Sequence, residues 1–383
     1  MELAALCERY RVRFIASHAR HTTQAQWSAL NALLGCHTEQ YGTLSLSCQR
    51  CSQEAIRYRS CGHRFCNQCQ QHSTQMWLNR QTQKLLPVDY YLVTFTLPFE
   101  LRAVAKAHST TVLTLLMQCA AATLIRFGLN APGLQAQLGM CAVLHTHTRR
   151  LDYHPHVHLV VPGGGLNVER NEWRKLKGKY LFNVKAMSSV FRGRFIAALK
   201  EQLPKEMNSD LLRKLYKHKW VVYAKRPFTG PQSVVEYLGR YTHKIAISNH
   251  RITAIKDGKV SFRYKDYADG CQQKTMTLEA TEFLRRFCLH LLPKGFRKIR
   301  HYGFLSNRCG PAFKKHQMQM GVVPATKQET SWQIITQTKL QYDIHQCPNC
   351  KKGKMEEVLS FDINGPPQWL INKLRSQTQQ LSS

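Results

Sequence analysis

The sequence predicts an α+β protein preceded by a small cysteine-rich module, and three observations carry that expectation. Six of the 14 cysteines fall between Cys36 and Cys69. From Leu86 onward, short runs of aromatic and β-branched residues alternate with longer stretches of helical periodicity. An Asp257-Gly258 pair separates two alternating runs, which is a hairpin signal. The division that follows is 1–85 for the Cys-rich module, 86–310 for the α+β domain, and 311–383 for a polar, Gln-rich tail with one more Cys pair.

Taken in order, Tyr90 to Leu97 reads as a strand closed by Pro98. Residues 100–128 read as one or two helices. Within them Thr111 to Ile125 is apolar but interrupted by Gln118. It suits a buried helix and falls short of the ~18 apolar residues that a membrane span needs. Gly139 to His147 and His156 to Val161 read as strands around the polar turn Arg149 to Tyr153. The second ends at Pro162 and the glycines 163–165, where a backbone can pass close to a ligand. Val184 to Leu203 is helical in pattern, Trp220 to Lys225 is a short strand, and Ser233 to Ile247 is a helix. Arg251 to Lys256 and Lys259 to Tyr264 form the hairpin, and Leu278 to Leu292 is a helix before Pro293. An antiparallel or mixed central sheet with helices packed on it satisfies this order.

Composition narrows the function. Lys and Arg number 55 against 23 Asp and Glu, a formal charge of +32. Such a surface concentrates polyanions and repels its own copies. Nucleic acid is the first candidate, since each neutralised phosphate releases counterions. The first residues, Met1 to Arg13, mix charges with apolar residues and lack a signal-peptide core. The expectation is a cytoplasmic, nucleoid-associated protein with no membrane partner.

The cysteines are spaced for metal. Cys48-x2-Cys51 and Cys66-x2-Cys69 are two knuckles able to set four thiolates around one structural zinc. Cys61 and His63 lie between them as substitute ligands. Cys36 and His37 lie upstream, where they either serve a second ion or pack in a core. Cys347 and Cys350 form a lone pair without a visible partner pair. Arg50, Arg57, Arg59 and Arg64 surround the knuckles and suit either DNA contact or a solvated face.

A second metal-binding pattern is the strand His154-Pro155-His156-Val157-His158. Residues i and i+2 of a strand share a face, so His156 and His158 point together. Two imidazoles on one rigid strand can hold a divalent ion and leave positions open for a phosphate. His145 and His147 repeat the spacing on the preceding strand. The alternative is a set of hydrogen-bonded, half-buried histidines.

The third feature is the helix Val235-Glu236-Tyr237-Leu238-Gly239-Arg240-Tyr241-Thr242-His243-Lys244. Tyr237 and Tyr241 stack one turn apart on one face. The same spacing suits core packing. A tyrosine becomes a nucleophile only when cations stabilise its phenolate, a role open to Lys244 or to a bound metal.

These residues together resemble the IS91-family transposases. The resemblance rests on the histidine strand and on Tyr-Leu-Gly-Arg-Tyr-Thr-His-Lys-Ile-Ala-Ile-Ser-Asn from Tyr237. It also rests on Ser60-Cys61-x4-Cys66-x2-Cys69, Leu85-Leu86-Pro87-Val88, Thr94 to Pro98, Leu292 to Phe296, and Ile299 to Gly303. It covers roughly residues 10–310. It implies an N-terminal zinc-binding, DNA-contacting domain and a catalytic domain of the HUH type, with a central antiparallel sheet and packed helices. It assigns His156 and His158 to a catalytic Mg2+ or Mn2+ and Tyr237 and Tyr241 to nucleophilic attack, with Lys244 assisting. Thr148-Arg149 departs from the family's frequent Gly-Gln, so the third metal ligand lies among His154, His145, Asp152 and His243, with His154 favoured. Structural zinc would take Cys48, Cys51, Cys66, Cys69 and Cys61. Phe65-Cys66-Asn67 likewise departs from a frequent His-Cys-Pro and removes one candidate zinc ligand. The implied activity is nicking and rejoining of single-stranded, hairpin-forming element ends and target DNA through a 5′-phosphotyrosine, in rolling-circle-like transposition. Other classes compatible with these motifs are a zinc-dependent DNA-binding protein without chemistry, a replication initiator or relaxase, and a zinc hydrolase.

Overall fold

The first sixty residues form two helices and a hairpin. The computed structural model describes residues 3–167, 169–170, 172–176, 181–228, 230–241, 246–267, 269–322, 333–334, 336–337 and 343–365. Helix α1 (Leu3–His18) buries Leu3, Leu6, Cys7, Tyr10 and Phe14, a stripe at helical spacing. Helix α2 (Gln24–Gly35) begins in a capping box, Thr23 accepting from Gln26 N–H and the Gln26 side chain accepting from Thr23 N–H. Phe14 and Trp27 pack edge to face at 5.9 Å. Strand β1 (Thr43–Cys48) then pairs antiparallel with β2 (Glu54–Tyr58), and helix α3 (Gln70–Thr82) follows.

The next segment builds the main sheet. Strand β3 (Tyr90–Thr96), helices α4 (Arg102–Ala107) and α5 (Ser109–Asn130), and strands β4 (Gly139–His147) and β5 (Tyr153–Pro162) come in succession. A short ribbon, β6 (Gly164–Asn167) with β7 (Glu172–Lys175), precedes helices α6 (Val184–Gln202) and α7 (Ser209–Lys217). Strand β8 (Val222–Phe228) and helix α8 (Pro231–Tyr241) follow. After them come β9 (Ile252–Lys256), β10 (Lys259–Asp266), β11 (Gln272–Glu279), helix α9 (Ala280–Cys288), strand β12 (Ile299–Gly303) and helix α10 (Gly310–Gln319). The five-stranded sheet runs β12-β4-β5-β3-β8, every neighbour antiparallel. The fold is therefore α+β with a central antiparallel sheet, as its alternating pattern predicts.

The sheet has one apolar face. Val93 and Phe95 of β3 lie beside Leu159 and Val157 of β5, which lie beside Ala142 and Leu144 of β4. All six are fully buried. Phe95 meets Phe191 of α6 at 4.9 Å, and α5 packs on α6, β4 and β5. Helix α5 is longer than the apolar stretch expected from sequence. By length and apolarity alone it suffices to cross a membrane. Instead Val112, Leu113, Leu116, Met117, Leu124 and others are buried within the protein, each large side chain contributing roughly 1.5–3 kcal/mol.

The hairpin expected at Asp257-Gly258 joins β9 to β10, with φ of 50° and 75° at the two turn residues, the values a tight I′ turn requires. The segment expected to be helical from Leu278 begins as strand, because β11 stays paired with β10 through Glu279. The helix expected over Ser233–Ile247 starts at Pro231 and is described to Tyr241. Residues 242–245, including His243 and Lys244, lie outside the described residues.

Glycines 163–165 have a packing explanation. A Cβ on Gly164 would lie 2.5 Å from the Arg174 carbonyl oxygen, and one on Gly165 would lie 2.8 Å from that of Gln137. The close approach is to the protein's own backbone, and all three glycines are buried.

The chain divides into two compact units, Met1–Met76 with Glu329–Ser383, and Trp77–Gln328. The C-terminal segment is more than a polar tail. Its strand β13 (Met355–Phe361) pairs antiparallel with β1, so the N-terminal sheet reads β13-β1-β2.

Candidate active site and cysteine clusters

The histidines lie on the face of the main sheet opposite α5 and α6. Strand alternation sends Val157 and Leu159 into the helical core and His156 and His158 to the other side, as period two demands. Pairing of β4 with β5 sets His145 directly opposite His156. The ligand nitrogens of His145, His156 and His158 lie within 4.8 Å of one another. His147 does not join them, because the register shifts between His145 and His147. Its ring stands 5.1 Å from that of His290 instead.

The imidazole that clusters with His156 and His158 is therefore that of His145. His154 shares the strand face, but its Nδ1 accepts from the Arg102 guanidinium. Asp152, another candidate, pairs with Arg286 at 2.9 Å and accepts from Thr148 Oγ1.

The triad's protonation suits a metal. His156 Nδ1 stands 2.7 Å from the His154 carbonyl. A carbonyl only accepts, so Nδ1 carries the hydrogen and Nε2 keeps its lone pair. Burial pushes His156 down to about 4. Burial, then the neighbouring His156, pushes His158 down to about 3. His145 is held well below the usual imidazole range by burial and then by His158 and His156. All three are neutral at pH 7, the form that ligates.

Helix α8 lies across the same face. Val234 and Leu238 pack into Leu92, Cys141, Val143 and Val160 of the sheet. Gly239 admits Leu78 of α3, whose Cδ1 would lie 3.1 Å from a Cβ there. This docking brings the Tyr237 hydroxyl into hydrogen bond with His158 Nδ1. The Tyr237 ring packs on Phe228 at 5.4 Å. Tyr241 ends the same helix. The triad and Tyr237 open into a cleft of about 590 Å³, also lined by Arg149, Lys225, Arg251, Tyr223 and Tyr267. Tyr223 and Tyr267 are exposed. Arg251 donates to the carbonyls of Arg149 and Arg263 at 2.6 and 2.8 Å. Burial lowers it to about 10, so it stays cationic at pH 7. Sequence reading missed these cations and aromatics, since no local pattern marks residues gathered from β8, the turn after β4 and the segments flanking β9 and β10.

Eight of the 14 cysteines form two sets of four. Cys36, Cys61, Cys66 and Cys69 make one, and Cys48, Cys51, Cys347 and Cys350 make the other. The expectation that Cys48, Cys51, Cys66, Cys69 and Cys61 converge on one ion is corrected. The hairpin β1–β2 carries the Cys48 knuckle to its own tip, away from Cys66 and Cys69. Cys36, left open between packing and ligation, supplies the fourth sulfur of the first set, 3.4 Å from both Cys66 and Cys69. Within that set the Cys66 thiol is drawn down to about 4, first by its hydrogen bond with Cys61, whereas burial pushes Cys36 up to about 12.

Residues 139–312 match the family described as "putative transposase", and residues 6–97 match the "transposase zinc-binding domain". A putative transposase of Sinorhizobium fredii, y4qJ, is 36% identical over 393 residues, covering 96% of this chain and 97% of that protein. The transposase of insertion sequence element IS801 from Pseudomonas savastanoi pv. phaseolicola is 30% identical over 306 residues, covering 74% and 71%. No solved structure matches the chain.

Proposed function

Because the chain belongs to the IS91 family of transposases, with that family's N-terminal zinc-binding domain, it acts on DNA in transposition, and we propose that it does so as an HUH-type tyrosine nuclease. The observation that carries this reading is the hydrogen bond joining the Tyr237 hydroxyl to His158, one of three clustered imidazoles.

His145, His156 and His158 would hold the divalent ion, Mg2+ or Mn2+. When bound, it supplies Lewis-acid polarisation of the scissile phosphate. Were the Nε2 lone pair of His158 given to the ion, its proton would sit on Nδ1 and be donated to the Tyr237 oxygen. An N–H donor there favours the phenolate over the phenol. Tyr237 then attacks in line. Its O–P bond forms as the P–O3′ bond breaks, and the departing 3′ oxygen takes up a proton. The products are a 5′-phosphotyrosine and a free 3′-hydroxyl. Reversal by a 3′-hydroxyl rejoins a strand without ATP, since the ester is conserved. Tyr241 lies four residues on, about 6 Å along the helix, and would serve a second strand transfer. Lys244 remains the proposed assisting cation beyond it.

The cleft favours an unpaired strand. Exposed Tyr223 and Tyr267 offer faces for base stacking, and Arg149, Lys225 and Arg251 offer charge for phosphates. We read the substrates as single-stranded, hairpin-forming element ends and target DNA, met at the bacterial nucleoid.

The test is incubation of the purified chain with end-labelled single-stranded DNA from the element's flanks and Mn2+, followed by a denaturing gel. A protease-sensitive adduct that vanishes in the Tyr237→Phe/Tyr241→Phe variant is expected. Cleavage by that double variant would sink the nucleophile assignment.

A further inference from the structure

We propose that a second zinc ion, bound by Cys48, Cys51, Cys347 and Cys350, fastens the C-terminal segment to the N-terminal sheet. Two of these ligands lie outside residues 6–97, the extent of the zinc-binding family match. The site is therefore distinct from the Cys36, Cys61, Cys66 and Cys69 set, which lies wholly inside that match.

Sulfur spacing is the first argument. Cys48 and Cys350 Sγ are 3.8 Å apart, and Cys51 and Cys347 Sγ are 3.7 Å apart. A tetrahedral site with Zn–S of about 2.3 Å places its sulfurs about 3.8 Å from one another. A disulfide requires about 2.05 Å.

The two turns are also built alike, although nearly three hundred residues separate them. Ser52 N–H donates to the Cys48 carbonyl at 3.1 Å, and Lys351 N–H donates to the Cys347 carbonyl at 3.1 Å. Cys48 N–H donates to the Gln53 carbonyl at 3.0 Å, and Cys347 N–H donates to that of Gly353 at 2.8 Å. The residue after each second cysteine is left-handed, Ser52 with φ 53° and Lys351 with φ 56°. Backbone N–H groups also reach the sulfurs, Arg50 to Cys48 at 3.4 Å and Gly353 to Cys350 at 3.2 Å. Such donors stabilise thiolate over thiol. Each turn is thus a knuckle that points two sulfurs at a common centre.

Packing supplies the third argument. A Cβ on Gly353 would stand 2.5 Å from Cys48 Sγ, so glycine lets the two knuckles close on each other. Among the described residues, the apolar cluster around them comprises Cys48, Cys347 and Met355, flanked by Leu46, Ala55 and Cys350. Five of the seven residues of β13 are exposed. A sheet with so little core requires a staple. Four thiolates and one Zn2+ carry a net charge of −2, and Arg50, Lys351, Lys352 and Lys354 lie within or just after the two knuckles in sequence.

Zinc content of the full chain, measured by native mass spectrometry and elemental analysis, tests the proposal. Two zinc ions per chain are expected for the wild type, and one for Cys347→Ser/Cys350→Ser. One ion in the wild type, unchanged in that variant, overturns it. Two intact disulfides within these four cysteines also overturn it. A readout on the wild type alone guards against a variant that fails to fold. Zinc protects Cys48, Cys51, Cys347 and Cys350 from N-ethylmaleimide, and a chelator removes the protection from all four. Alkylation of Cys347 and Cys350 at the same rate with and without chelator refutes the site.

Discussion

Replacing Tyr237 by Phe separates chemistry from folding. The ring keeps its contacts with Phe228 and with the cluster of Leu92, Cys141, Val143 and Val160. The hydroxyl is removed and, with it, the bond to His158. One hydrogen bond has a net worth of about 0.5–1.5 kcal/mol. For a unit the size of Trp77–Gln328 that lowers Tm by roughly 1–6 °C. Secondary structure and binding of uncut single strands therefore survive, with affinity within about tenfold of wild type. Covalent adduct formation should fall by at least about a thousandfold, as expected when a nucleophile is deleted and only positioning remains. The assay is single-turnover adduct formation on labelled DNA with Mn2+, alongside thermal unfolding and filter binding of the same preparations. A Tyr237→Phe protein that forms adduct at nearly the wild-type rate would refute the reasoning, since the first attack would then come from another group. A loss of adduct accompanied by a fall in Tm well beyond that range would instead point to a packing role.

Four further outcomes follow from particular residues. His145→Asn should lower adduct formation at fixed Mn2+ by about a hundredfold or more, and His154→Asn by less than about tenfold; equal losses across a Mn2+ titration would put His154 back among the ligands. Burial pushes His301, hydrogen bonded to Gln81, down to about 4 from an ordinary 6.5. The unfolded chain thus takes up that proton first, so this stabilisation is complete above about pH 6.5 and shrinks as pH falls towards about 4, by up to about 3 kcal/mol. The urea midpoint of His301→Asn should accordingly fall less between pH 7 and 5 than that of the wild type. Lys225→Ala should weaken single-strand binding and reduce the slope of log K against log salt by about 0.7; an unchanged slope excludes a phosphate contact. Gly164→Ala should cost about 1–3 kcal/mol in denaturant unfolding, because its Cβ meets the Arg174 carbonyl at 2.5 Å.

Local patterns located the elements that carry the chemistry. Strand β4 runs from Gly139 to His147 as its composition suggests, and β5 alternates histidine with buried aliphatic residues. The tyrosine helix and the Asp257-Gly258 turn were equally legible, because each is fixed by residues within a few positions of one another. Which imidazole clusters with His156 and His158 was not. It depends on which residue of β4 stands opposite His156, and cross-strand register has no local signature. The cysteine sets were misgrouped for the same reason. Proximity in sequence favoured joining Cys48 and Cys51 to Cys66 and Cys69, whereas the fold turns the first pair towards Cys347 and Cys350. Helix α1 escaped notice because its apolar stripe is interleaved with charged residues, and the strand β13 because it is mostly exposed.

The pairing of β1 with β13 also has a meaning in time. A ribosome extends a chain at about 5–20 residues per second, so β1 and β2 wait roughly 15–60 s before Met355–Phe361 emerges to lie beside Thr43–Cys48. Throughout that interval the edge of β1 stays open to whatever strand comes first, including one from a neighbouring nascent chain. The module made first is the one finished last, and a chain broken anywhere before β13 leaves its N-terminal sheet with two strands instead of three.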